Sequence, residues 1–246
     1  MSGHSKWSTI KRKKGALDAK RSKMFSKLSK EITVAVKESG PDPEGNPRLR
    51  LAVNNAKAVS MPKDNIQRAI TKGGDKDAAN IQEVIYEGYL PNGIAVYVEC
   101  TTDNLKRTIA NVRSIFSKHG GSLATNGSLS FLFERKGVFS IPKGDIDPDE
   151  FEMELIDAGA EEIELDDDMF TVYTSLDDFG NMVKKLESME IVAENAELQR
   201  IPHDTKTLDI DSAKKILKAL DIFEEDDDVA NIFHNLEITE EMEEFL

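Results

Sequence analysis

Several things are scarce in this sequence, and each scarcity excludes something. One cysteine, Cys100, in 246 residues excludes a disulfide framework and any zinc site built on cysteine thiolates. No apolar run approaches the roughly 20 residues that span a bilayer. The strongest, Ile94 to Val98, is strand-sized, so no membrane partner is expected. The first twenty residues are basic and polar and lack the apolar stretch of a secretory signal, which points to a cytoplasmic protein. Four histidines, His4, His119, His203 and His234, stand at no metal-pair spacing. Neither glycine-rich phosphate-loop pattern occurs, nor HExxH. Asp145-x-Asp147-x-Asp149 opens like a calcium loop, but Glu150 stands where glycine is needed and Ile156 where glutamate is needed. It reads better as a helix cap ahead of Pro148. The triplets Asp166–Asp168 and Asp226–Asp228 read as turns kept soluble by charge. With Met1 removed, Ser2-Gly3-His4 could chelate Cu(II) or Ni(II), a capacity shared by any chain with histidine there. No cofactor, metal, small-molecule substrate or catalytic activity is expected.

Charge, by contrast, is abundant and unevenly placed. Charged residues make up 32% of the chain, and the formal net charge is -14. Residues 1–76 hold 18 Lys/Arg against 7 Asp/Glu, residues 77–136 hold 6 against 6, and residues 137–246 hold 8 against 33. The basic third suits a polyanion that the acidic third would repel. At the amino end Lys6, Lys11, Arg12, Lys13 and Lys14 surround Trp7, the only tryptophan. Basic side chains neutralise phosphates and release counterions, and an aromatic ring stacks on an unpaired base or wedges into a groove. A solvated basic tail with Trp7 pinned to the core is the plainer alternative. From Ala19 to Ser39, Phe25, Leu28, Ile32 and Val36 form one helical stripe. Lys20, Lys23, Lys27, Lys30 and Lys37 fall on the opposite arc, with Arg21 beside them. The candidate nucleic-acid-binding residues are therefore Lys6, Trp7, Lys11, Arg12, Lys13, Lys14, Lys20, Arg21, Lys23, Lys27 and Lys30.

The hydrophobic pattern predicts an α+β, multidomain chain. Gly40-Pro41 ends the first helix. Asn46-Pro47 caps a second with Leu49, Val53 and Ala56 inward, and Pro62 opens a third that closes at Gly73-Gly74. This makes residues 1–78 a basic three-helix bundle. Beyond it, Val84–Leu90 and Ile94–Thr101 flank the Pro91-Asn92-Gly93 turn as a hairpin. A helix with Leu105, Ile109, Val112 and Phe116 follows, then a strand over Leu129–Glu134. Strand Val138–Ile141, a helix from Pro148, strands Glu162–Leu165 and Phe170–Thr174, a helix with Leu176, Phe179, Val183 and Leu186, and a strand Glu197–Ile201 give the ferredoxin-like βαββαβ order. Strand Thr207–Ile210, a helix with Ala213, Ile216, Leu217 and Leu220, and the run Val229–Leu236 need a sheet to join. The expected arrangement is two α/β sandwich domains: residues 79–135 plus 205–246 as a discontinuous middle domain, and 136–204 as an acidic ferredoxin-like insertion.

Ser2-Gly-His-Ser-Lys-Trp7, Asp18-Ala-Lys-Arg21, Met61-Pro-Lys-Asp-Asn65, Tyr86-Glu-Gly-Tyr89, Glu99-Cys-Thr-Thr-Asp-Asn104, Ser117-Lys-His-Gly-Gly121, Asn126-Gly-Ser128 and Phe131-Leu-Phe-Glu-Arg-Lys-Gly137 stand in order along the chain. In this the sequence resembles the YebC family from end to end. The resemblance implies a helical N-terminal domain followed by two α/β domains, and a DNA-binding regulator of transcription. A relative that activates mitochondrial translation implies the alternative, a ribosome-associated translation factor on ribosomal RNA. Leu90, Asn92 and Ala124 depart from the family's glycine-richer pattern. Either role leaves oligomeric state open.

Overall fold

The first helix forms because apolar residues recur every three to four positions and glycine and proline stay out of its interior. The computed structural model describes residues 18–75, 81–166 and 168–243. In it, α1 spans Asp18–Ser39, α2 Pro47–Ala58 and α3 Lys63–Gly74. Their core comprises Ile32, Ala35, Val36, Leu49, Ala52, Val53, Ala56, Met61, Ile66 and Ala69. Asn46 joins the first two helices twice over. Its Oδ1 accepts from Leu49 N (3.0 Å), and its Nδ2 donates to Ala35 O (2.7 Å) and Gly40 O (2.8 Å). At Gly73, any Cβ would lie 2.7 Å from Val36 Cβ, so glycine lets α3 close onto α1.

The first sheet has the order β3-β1-β2-β8, with β1 Gln82–Leu90, β2 Ile94–Thr102, β3 Ser122–Leu123 and β8 Val229–His234, all neighbours antiparallel. The β1–β2 hairpin turns through Asn92 (φ 63) and Gly93 (φ 70), within the Pro91-Asn92-Gly93 turn that the sequence marked. Helices α4 (Leu105–Lys118) and α7 (Ile210–Glu225) cover one face, where Phe116, Phe223, Val96, Val98 and Leu220 are buried. The other face, with Ala95, Tyr97 and Phe233, lies under Leu129 and Phe133.

The second sheet has the order β5-β6-β4-β7, with β4 Phe133–Pro142, β5 Ala160–Asp166, β6 Met169–Thr174 and β7 Asn195–Pro202. Helices α5 (Pro148–Ile156) and α6 (Phe179–Ser188) bury Phe151, Leu155, Met182 and Leu186 against it. This is the ferredoxin-like arrangement. The chain is thus α+β, a helical bundle followed by two antiparallel sheets with their helices. A short α8, Glu240–Glu243, follows β8.

Three expectations are corrected. Leu129–Leu132 form turns, not strand, because the buried Glu87 carboxylate takes the Gly127 N–H (2.7 Å) and the Leu129 N–H (2.6 Å) that a ladder would use. Thr207–Ile210 is no strand either: only a single parallel bridge, Lys206 to Leu236, forms before Asp209 caps α7. Leu176 lies ahead of α6, exposed.

Candidate nucleic-acid interface

Of the cations singled out from the sequence, Lys6, Lys11, Arg12, Lys13 and Lys14, together with Trp7, lie outside the described residues. Lys20 and Arg21 are on the first turns of α1, their side chains likewise outside the description. Lys23, Lys27 and Lys30 are described, and their surroundings differ from the solvated arc that helical spacing suggests. Positions i, i+4 and i+7 share one face of a helix, and this face meets the C-terminal end of α7. Lys23 Nζ donates to Glu225 O (3.0 Å) and Lys27 Nζ to Glu224 O (3.0 Å). Lys30 Nζ donates to Asp227 O (2.6 Å), Thr101 O (3.2 Å) and Asp228 Oδ1 (3.1 Å).

The chemistry of α7 explains the fit. The last carbonyls of a helix have no partner within it, and they form its negative pole. The last turn of α7 carries no basic residue of its own, and Asp226, Asp227 and Asp228 follow it directly. Three lysines from α1, about 200 residues earlier in the chain, supply the missing cations. Burial pulls the Lys27 ammonium below its ordinary value, and Lys23 adds to this against the opposing pull of Glu224.

Asp228 anchors the inner end of this contact. Its carboxylate is 5% exposed and accepts from Arg107 Nη2 (2.7 Å), Arg107 Nε (3.0 Å), Thr108 Oγ1 (3.0 Å) and Lys30. Burial works to raise its pKa, but the hydrogen bonds from Arg107, Lys30 and Thr108 prevail and hold it below the usual carboxylate range. Asn111 Nδ2 donates to Asp226 Oδ2 (2.9 Å) beside it. The acidic turn is therefore a socket for cations, which its composition did not reveal.

The bundle is fastened at further places, among them Arg50 Nε to Glu187 of α6 (3.6 Å). Arg48 bridges Glu38 (2.8 Å) and Glu83 of β1; these carboxylates hold its guanidinium above its ordinary pKa despite burial. Asn55 and Ala196 of β7 exchange two hydrogen bonds (2.9 and 3.3 Å). Between these contacts lies Glu31, half-buried. Burial first, then Glu197 and Glu83, push its carboxyl up to about 7 against the pull of Arg48.

Asp147 accepts from the Asp149 and Glu150 amides (3.0 and 3.1 Å), capping α5 as the sequence indicated. Among the described residues, no three His, Cys, Asp or Glu side chains are placed to hold a metal ion. Burial, then Asp226 and Asp228, push the Cys100 thiol up to about 12, so it carries no thiolate near neutrality. No described helix is long and apolar enough to cross a membrane.

Comparison with known proteins adds a further finding. Residues 5–76 match the model of the TACO1/YebC protein N-terminal domain, and residues 81–236 that of the TACO1/YebC second and third domain. A "Probable transcriptional regulatory protein" of Amoebophilus asiaticus is 52% identical, covering 96% of this chain and 98% of the relative. One of the same name from Chlorobaculum parvum is 50% identical, covering 98% and 96%. The crystal structure of the conserved hypothetical protein Aq1575 from Aquifex aeolicus superposes with a TM-score of 0.83 at 43% identity, covering 91% of this chain and 93% of that one.

Proposed function

The chain belongs to the TACO1/YebC family, and from that premise we propose that it regulates gene expression by binding nucleic acid through its basic amino end. The observation that carries this reading is the excess of cations in residues 1–76 of a chain whose net charge is -14. The contact surface consists of Lys6, Trp7, Lys11, Arg12, Lys13, Lys14, Lys20 and Arg21. Lys23, Lys27 and Lys30 join it only on release from the 224–228 turn. Residues 1–78, 79–135 with 205–246, and 136–204 act as three units, a division supported by the two separate sheets. The role is one of binding rather than catalysis, in the cytoplasm.

DNA is the first candidate ligand, since the relatives are named as transcriptional regulators. Neutralising Lys11, Arg12, Lys13 and Lys14 together should weaken binding to a promoter duplex and flatten its salt dependence by a slope of up to about 3.6, at roughly 0.9 per phosphate contact. Equal competition by random duplex would remove the transcriptional reading, because phosphate contacts carry no sequence information.

One observation favours the second reading, a translation factor on ribosomal RNA. Residues 137–246 hold 33 Asp/Glu against 8 Lys/Arg, which suits end-on docking rather than lying along a duplex. It requires sedimentation with ribosomes at physiological salt, lost on neutralising residues 11–14.

A further inference from the structure

From Asn104 to Phe133, thirty consecutive residues contain no aspartate or glutamate, in a chain that has 46 among 246. The stretch supplies α4 and the loop that wraps the β3 edge of the first sheet. The inner face of α4 buries Thr108, Val112, Ile115 and Phe116. Its outer arc carries Lys106, Ala110, Arg113 and Ser117 at i, i+4, i+7 and i+11, all exposed, with Lys118 on the neighbouring arc.

Two observations describe the charges on this face. Arg107 on the flank is committed to Asp103 and Asp228, whereas Lys106, Arg113 and Lys118 make no ion pair among the described residues. In addition, the first turn of α4 has no acidic residue and holds Lys106 at the positive pole of the helix, where a cation is disfavoured.

We propose that the outer face of α4 is a second contact for the phosphate backbone of the nucleic acid, on a different domain from the basic amino end. This rests on the functional reading above. Charge complementarity fixes the occupant: three cations without an ion pair among the described residues, on an acid-free element of an acidic protein. Lys106 and Arg113 stand about 10 Å apart along the helix axis, a rise of about three phosphates on one strand of a duplex. Ile109, 36% exposed, lies between them as an apolar contact for the sugars.

The test compares the wild-type chain, K106Q/R113Q/K118Q and the variant neutralised at residues 11–14. Binding to labelled duplex DNA and labelled single-stranded RNA is read by fluorescence anisotropy over a salt series. The α4 variant should bind about tenfold more weakly, with a salt slope lower by about 2 to 3, and its Tm should change little, since losing Lys118 at the negative pole of the helix is offset by losing Lys106 at the positive one. A charge-preserving control, K106R/R113K, should retain wild-type affinity; an equal loss there would mean a structural effect and would overturn the proposal. Unchanged binding by the α4 variant, with weak binding by the 11–14 variant, overturns the α4 contact and leaves the functional reading standing. Retained nucleic-acid binding with lost affinity for poly-glutamate assigns the face to an acidic protein instead and overturns it too. Failure of the wild-type chain to bind either nucleic acid removes the functional reading and this proposal together.

Discussion

Asp228 and Glu31 are both carboxylates withdrawn from water, and their surroundings drive them in opposite directions. Asp228 is met by Arg107, Lys30 and Thr108, which together outweigh burial. A folded-state pKa below the unfolded one adds stability that is present above the ordinary carboxylate value of about 4 and disappears as the pH falls through the folded value. D228N should therefore cost about 2 kcal/mol at neutral pH, with the gap to wild type narrowing in urea denaturation curves below about pH 4. Glu31 is met mainly by burial and by other carboxylates. Its raised pKa means that folding takes up a proton, so stability is complete below about pH 4 and is lost as the pH rises to about 7. E31Q should be the more stable protein at pH 8, by about 2 kcal/mol, and should lose that advantage on acidification. Thermal melts across this range that show parallel curves for the two proteins would exclude the raised Glu31 carboxyl.

At the scale of elements, the amide of Asn46 has work that a carboxylate cannot do. Asp and Asn cap isolated helices about equally. Here, however, Nδ2 also satisfies the carbonyls of Ala35 and Gly40 in the bundle interior. N46D should cost about 2 to 3 kcal/mol by chemical denaturation, where capping alone would give almost nothing. Local features of this kind were readable in the sequence: the Asn46-Pro47 start of α2, the Asp147 cap of α5 and the Pro91-Asn92-Gly93 hairpin all depend on neighbouring residues. The segment Leu129–Phe133 shows where such reading stops. It is strand-sized and four of its five residues are Leu or Phe, yet Leu129 and Phe133 are inside while Phe131, which a strand would place on their face, is 70% exposed. Its backbone nevertheless bonds to Glu87, some forty residues earlier, a partner that no local pattern announces.

The same limit applies to the whole molecule. The basic first third and the lysine arc of α1 were legible, but the acids that meet Lys23, Lys27 and Lys30 lie about 200 residues downstream, on a helix end that folding alone brings near. The contact should fasten the bundle to the first sheet. K23Q/K27Q/K30Q should accelerate hydrogen exchange in the last turn of α7 and residues 226–228 while leaving the second sheet protected. Unaltered exchange there would show that the other bridges, at Arg48, Arg50 and Asn55, suffice to hold the bundle.

The strand order β3-β1-β2-β8 also sets a timetable for biosynthesis. Domains fold as units while the chain is being made, and the second sheet is complete at Pro202, before α7 and β8 have left the ribosome. Until they do, the nascent chain carries β2 with an open edge and Phe116 without its ring neighbour Phe223. When residues 210–234 emerge, they finish that sheet and bring the partners of the α1 lysines in one step, so that closure of the lysine row reports completion of the middle of the protein.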